Sequence, residues 1–310
     1  METAFLAAIA AAAIRASTPL LLACIGEIIT ERAGVLNLGV EGLMLVGALS
    51  GFAVTIASGS LFLGLVAASV GAALLALLHA FASITLRANQ IVSGLALVFL
   101  ATGVTDLFGR PYVGMTQPAR IAASSSGPAA WPIVGPILLA HDPIVYLSYL
   151  LVPATWYFLF RTRPGLHLRA VGESPETADA MGVSVVRVRY LATGVGGALA
   201  GLGGAYLSLL YTPLWVPQMT AGRGWIALAL VAFASWEPRR ALLGAILFGG
   251  IDVLQFRLQA AGSQLPSDVL LMLPYLGTII FLTATQSARA RRSEAAPAAL
   301  GLAYTREERV

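Results

Sequence analysis

Apolar runs recur along this chain, separated by short joints rich in polar residues, glycine or proline. A helix needs about 20 apolar residues to cross a hydrocarbon core roughly 30 Å thick. On that measure the pattern predicts roughly nine spanning helices, near 4–28, 36–56, 61–84, 90–110, 143–160, 190–211, 223–236, 241–257 and 268–285. The runs 61–84 and 91–107 are apolar nearly all round, whereas a helix packed on a soluble core keeps a polar face. Two regions break the pattern. Pro213, Pro217 and Gly222 interrupt 212–236, which reads as a broken or re-entrant helix, and Gly34, Asn37, Gly39 and Glu41 interrupt 30–42. The fold class is therefore all-α and polytopic, with a membrane domain over 1–285. The polar, mixed-charge stretch 286–310 reads as a flexible tail.

Composition agrees. The 310 residues are 58% hydrophobic and 11% charged, against about 25% charged in soluble domains. There is no lysine, so the chain has neither a P-loop lysine nor a Schiff-base lysine. If ATP drives the protein, a partner binds the nucleotide and its magnesium; no cofactor is expected in this chain. Cys24 stands alone in an apolar run and reads as a small buried hydrophobe. The start Met1-Glu2-Thr3 lacks the basic region of a cleavable signal.

Arginine placement sets the expected orientation. Arg161, Arg163, Arg169, Arg187, Arg189, Arg239, Arg240, Arg289, Arg291, Arg292, Arg306 and Arg309, together with Arg32 and Arg87, fall on one side of a nine-span chain, while Arg110, Arg120, Arg223 and Arg257 fall on the other and Arg15 lies within the first span. The positive-inside rule makes that side cytoplasmic, placing the N-terminus outside and the C-terminus inside. Arginines at helix ends rather than in one stripe give no nucleic-acid footprint. The outer connection 113–141, irregular at Ser124 to Pro128, Pro132 and Pro136, is either a plain loop or a surface for an external binding protein.

The most informative polar loop is 161–189. Within it Ser174 can cap a helix, Pro175 suits the first helical position, Glu176 suits the positive end of the helix dipole, and Gly182 supplies a left-handed stop. The result is a helix of about two turns, 175–181, with Ala178 and Met181 three apart on one face. A small apolar face without a core of its own suggests docking onto a partner.

Here the sequence resembles a known family. The segment HLRAVGESPETADAMGVSVVRVRYLATGVGGALAGLGGAYLSL is similar to the coupling region of ATP-binding cassette (ABC) importer permeases of the branched-chain amino acid, simple-sugar and nucleoside type. GEIITERAGVLNLGVEGLMLVG (26–47), ANQIVSGLAL (88–97) and GRGWIALALVAFASWEPRRALLGAILFGG (222–250) agree, so the resemblance runs from 19 to 285. ERAGVLNLGVEG points to the nucleoside and simple-sugar branch. The resemblance implies a type II-like importer fold in the bacterial inner membrane. Its implied partners are a second permease, homologous or identical, two ATPase subunits and an extracytoplasmic solute-binding protein. It puts coupling on Arg169, Gly172, Glu173, Ala178, Met181 and Gly182. Departures occur at Ala234-Ser235, where relatives tend to have glycine, and at the charged Glu237-Pro238-Arg239-Arg240.

Polar residues in spans are costly and face protein or a water-filled path. Glu41 and Asn37, four apart, read either as pathway lining or as a hydrogen-bond network shaping the break. Asn89 and Gln90 read as capping or pathway, and Trp225 as a boundary aromatic beside Arg223 or a gate. Asp252 needs a partner, with Arg257 near in sequence. Glu27 and Glu31 read as a solvated face. His79 and His141 are isolated, and no metal motif occurs. An intramembrane enzyme lacks its nucleophile and base here. An ion-coupled transporter has Glu41 and Asp252 to offer but no use for a docking helix, and a branched-chain amino acid importer remains the alternative within the family.

Overall fold

The computed structural model describes residues 2–117, 134–260 and 296–306, with isolated positions between 266 and 283. Ten α-helices order these residues: α1 (Glu2–Arg32), α2 (Val40–Ser58), α3 (Leu61–Ala80), α4 (Gln90–Gly109), α5 (Pro143–Arg161), α6 (Arg163–Glu173), α7 (Pro175–Ala180), α8 (Val185–Tyr206), α9 (Arg223–Ala234) and α10 (Pro238–Ala260). Short π-helical turns extend α3 through Thr85 and α8 through Tyr211. Among the described residues, seven helices are long and apolar enough to cross a membrane, and α9 is a shorter apolar helix. Half of the expected ninth span, 268–285, lies outside the described residues, as does most of the 113–141 connection.

Helix α8 is the hub. It packs against α1, α2 and α3, and its glycine-rich run lets backbones touch, the mechanism of small-residue helix packing in lipid. A Cβ on Gly204 would fall 1.8 Å from the Met44 carbonyl oxygen, and one on Gly47 would fall 2.3 Å from that of Gly201. Helices α3 and α4 instead turn bulky side chains outward; Phe62, Leu74, Phe99 and Phe108 are exposed, as a lipid-facing or subunit-facing surface requires.

Several boundaries shift from the sequence expectation. Helix α1 continues to Arg32, and α2 begins at Val40 rather than near 36. Residues 33–39 are unwound, because Glu27, Gln90 and His79 supply side-chain partners to backbone groups there in place of a helical ladder. The 161–189 loop holds two helices, not one. Helix α6 starts where Thr162 accepts the N–H of Gly165 with Pro164 beside it. Helix α7 has the expected Ser174 cap, and Gly182 takes φ +83°. Ala178 is buried against Val171, Val185 and Tyr304, whereas Met181, beyond the last helical turn, is 80% exposed. The two therefore do not form one outward face. Within the stretch expected to be a flexible tail, residues 296–306 pack onto the protein, with Ala299 buried.

Candidate functional site

Two broken helices meet inside the bundle. Gly39 and Gly42, flanking the start of α2, lie against Leu97, Val98 and Ala101 of α4. Those residues come seven to eleven positions after Gln90, about 10–16 Å along the helix at 1.5 Å per residue. Helix α2 thus starts deep in the bundle. Its second residue, Glu41, aims its carboxylate at the start of α9. Thr220 Oγ1 donates to Oε1 at 2.6 Å, the Gly222 N–H to the same oxygen at 2.8 Å, and the Gly224 N–H to Oε2 at 2.6 Å. The first N–H groups of any helix lack intrahelical partners and carry partial positive charge, so a carboxylate from a neighbouring helix is a matched cap. The approach demands glycine at 224, where a Cβ would fall 2.4 Å from the Glu41 Cα.

Beside this junction Arg223 reaches Asp252 of α10 at 3.1 Å. That ion pair gives Asp252 its partner in Arg223. Trp225 follows in the first turn of α9, half-exposed. It sits one residue beyond Gly224, whose N–H bonds Glu41.

The remaining sequence-selected polar residues hold the unwound segment. Asn37 is buried, accepts the Gly39 N–H through its side-chain oxygen at 2.9 Å, and donates its own N–H to Glu27 Oε1 at 3.1 Å. Gln90 Oε1 accepts the Leu36 N–H at 2.7 Å. His79 donates from Nε2 to the Leu36 carbonyl, 3.2 Å, leaving Nδ1 to accept from the Ser93 hydroxyl, 3.0 Å. Asn89 caps α4 by accepting the N–H groups of Ile91 and Val92. None of Asn37, Asn89 or Gln90 contacts Glu41 directly in these bonds.

Glu27 and Glu31 are buried, not solvated. Glu31 accepts the indole N–H of Trp236, and Arg32 donates to the carbonyls of Ser235 and Trp236 at 3.3 and 3.2 Å. Both residues of that turn have positive φ, 58° and 55°, a conformation that favours glycine. The acidic and basic end of α1 thus holds a turn that the residue types alone disfavour.

Of the residues expected to couple to a partner, Arg169 donates to the Leu159 carbonyl at 2.9 Å and stacks over Phe160. Gly172 abuts α1, a Cβ there falling 2.1 Å from the Arg32 oxygen. Glu173 Oε2 accepts the Ala298 N–H at 3.3 Å. Sequence reasoning missed Thr220, Gly222 and Gly224 as partners of Glu41, and Arg189 as a buried anchor. The closely spaced glycines after Thr220 were the available signal, but only the fold brings Glu41 to them.

These features define a multi-pass membrane protein built around an internal helix break. A family model described as branched-chain amino acid transport system / permease component matches residues 9–282. The chain belongs to this family of transport permease components. It is 44% identical to the putative glucose ABC transporter permease protein of Haloferax volcanii, over 98% of this chain and 99% of that one. It is 34% identical to the guanosine ABC transporter permease protein NupQ of Bacillus subtilis, and 33% identical to the nucleoside ABC transporter permease protein NupC of Lactococcus lactis. Each of these two alignments covers 86% of this chain and 88% of the relative. No solved structure matches the chain.

Proposed function

We propose that this chain is the membrane-spanning subunit of an ABC importer in a bacterial inner membrane, carrying a simple sugar or a nucleoside. The observation that carries the solute class is the similarity, along nearly the whole chain, to permeases named for glucose, guanosine and nucleosides. Those solutes share a hydroxylated sugar ring. Residues 1–285 form the permease in a type II-like arrangement of nine crossings, with 161–189 as the coupling loop on the cytoplasmic side and the N-terminus outside.

ATP is bound and hydrolysed by two partner ATPase subunits. A second permease, identical or homologous, completes the pathway, and an extracytoplasmic binding protein delivers the solute. Met181, the exposed apolar residue at the end of α7, is the contact we assign to the ATPase. The movement of α6 and α7 reaches the interior through Gly172, which presses on the end of α1, and through α2 to Glu41. When Glu41 shifts, the start of α9 shifts with it, and Trp225 moves relative to the pathway.

Uptake of labelled guanosine and labelled glucose in cells with and without the gene tests this reading. Loss of uptake of one of the two identifies the solute branch. Unchanged uptake of both removes the solute assignment. Met181→Glu should leave the protein folded but lower uptake at least tenfold; normal uptake in that variant removes the coupling role of α7.

A further inference from the structure

Residues 296–306 run across the face of the protein that carries α6, α7 and the unwound segment between α1 and α2. The bonds are specific. The Ala299 N–H donates to the Gly172 carbonyl at 2.9 Å, one of the last carbonyls of α6, which has no intrahelical partner. The Ala298 N–H donates to Glu173. The Gly301 N–H, from a residue at φ +78°, donates to the Gly34 carbonyl at 3.3 Å. Arg306 pairs with Asp179 of α7 at 3.0 Å, and Tyr304 packs on Val171, Ala178 and Val185.

One buried side chain ties these contacts to the interior. The Arg189 guanidinium donates from Nε to the Ala33 carbonyl at 3.2 Å and from Nη1 to the Leu302 carbonyl at 3.0 Å. Arg189 is 1% exposed, so losing either acceptor leaves charge-bearing N–H groups buried without a partner. The bonds form a continuous line from Asp179 on α7, through the 296–306 segment and Arg189, to residue 33. From there the unwound segment leads to α2, Glu41 and the start of α9.

We propose that the C-terminal segment 296–306 is a transmission strap: it positions the unwound α1–α2 segment according to where α6 and α7 sit, and so links ATPase movement to the Glu41–α9 junction. This rests on the proposed ABC importer function. The strap acts through other residues and touches no solute.

The test uses the complete importer reconstituted in lipid vesicles, with its ATPase subunits, second permease and binding protein. Uptake, ATP hydrolysis and ATPase retention are measured together. Two variants are compared with the wild type: deletion of 296–310, and Gly301→Pro. Proline cannot adopt positive φ and has no N–H for Gly34, so it detaches the strap locally and keeps the comparison open if the deletion fails to accumulate. The expected result is that ATPase subunits stay bound and hydrolyse ATP while solute moved per ATP falls at least fivefold. Wild-type uptake per ATP in Gly301→Pro would overturn the strap's role. Loss of ATPase binding would also overturn it, by making the segment a docking surface. A wild-type complex that retains no ATPase would count against the importer reading itself, and is distinguishable because it needs no variant.

Discussion

The carboxylate of Glu41, in the first turn of α2, accepts the backbone N–H of Gly224, in the first turn of α9, at 2.6 Å. Two helix starts from distant parts of the sequence are thereby joined inside the bundle. With Thr220 and Gly222 on its other oxygen, one side chain satisfies the opening of a helix that no residue of its own cap position serves.

Glu41→Ala removes all three acceptor contacts and should destabilise the protein by about 2 kcal/mol or more, the scale of a lost cap joined to charge-assisted bonds. Glu41→Gln keeps one acceptor oxygen for Thr220 and Gly222 but turns an amide toward the Gly224 N–H. It should lie between wild type and alanine. The midpoint of thermal unfolding in detergent measures the order. Alanine as stable as wild type would remove the capping role.

Glycines that touch backbone should respond differently from glycines in open space. Gly204→Val places side-chain atoms into the Met44 carbonyl and should prevent accumulation in the membrane. Gly103, with nothing within 4 Å of a built Cβ, should accept valine with normal accumulation of the subunit. Quantitative blotting of membrane fractions compares the two; equal levels would show that α8 does not pack as closely as described.

Glu31→Ala leaves the buried Trp236 indole N–H without its acceptor, a loss of about 1–3 kcal/mol. Because Ser235 and Trp236 hold positive φ, the turn before α10 should loosen. Faster hydrogen exchange at residues 235–237 in the variant is the expected readout, and unchanged exchange there would contradict the tie.

Asp252→Asn should weaken the Arg223 pair and lower stability by about 1 kcal/mol or more, since both side chains are largely withdrawn from solvent. Exchanging the two, Arg223→Asp with Asp252→Arg, should recover part of the loss. A double-mutant cycle with no coupling energy would show the pair to be independent.

Much of this architecture was legible in sequence because spanning helices are coded by run length. The edges of α3, α4 and α5 fall within a few residues of the apolar runs, and α7 follows from Ser174, Pro175 and Gly182. The breaks at 33–39 and 212–222 were visible from their glycines and prolines. What fills them was not. Local reading set Glu27 and Glu31 beside Arg32 as a solvated face, yet each carboxylate serves a backbone or indole donor brought by another part of the fold. Residues 296–306 looked like tail because their composition carries no core. Their order comes instead from acceptors on Gly172, Gly34 and Glu173, which composition does not reveal.

The most direct test of the central claim is uptake of labelled glucose and labelled guanosine into vesicles holding this chain, its second permease and the binding protein, with and without the ATPase subunits. The account predicts accumulation of one of these solutes only when the ATPase subunits and ATP are both present. Accumulation by the permeases alone, driven by an ion gradient, would contradict it.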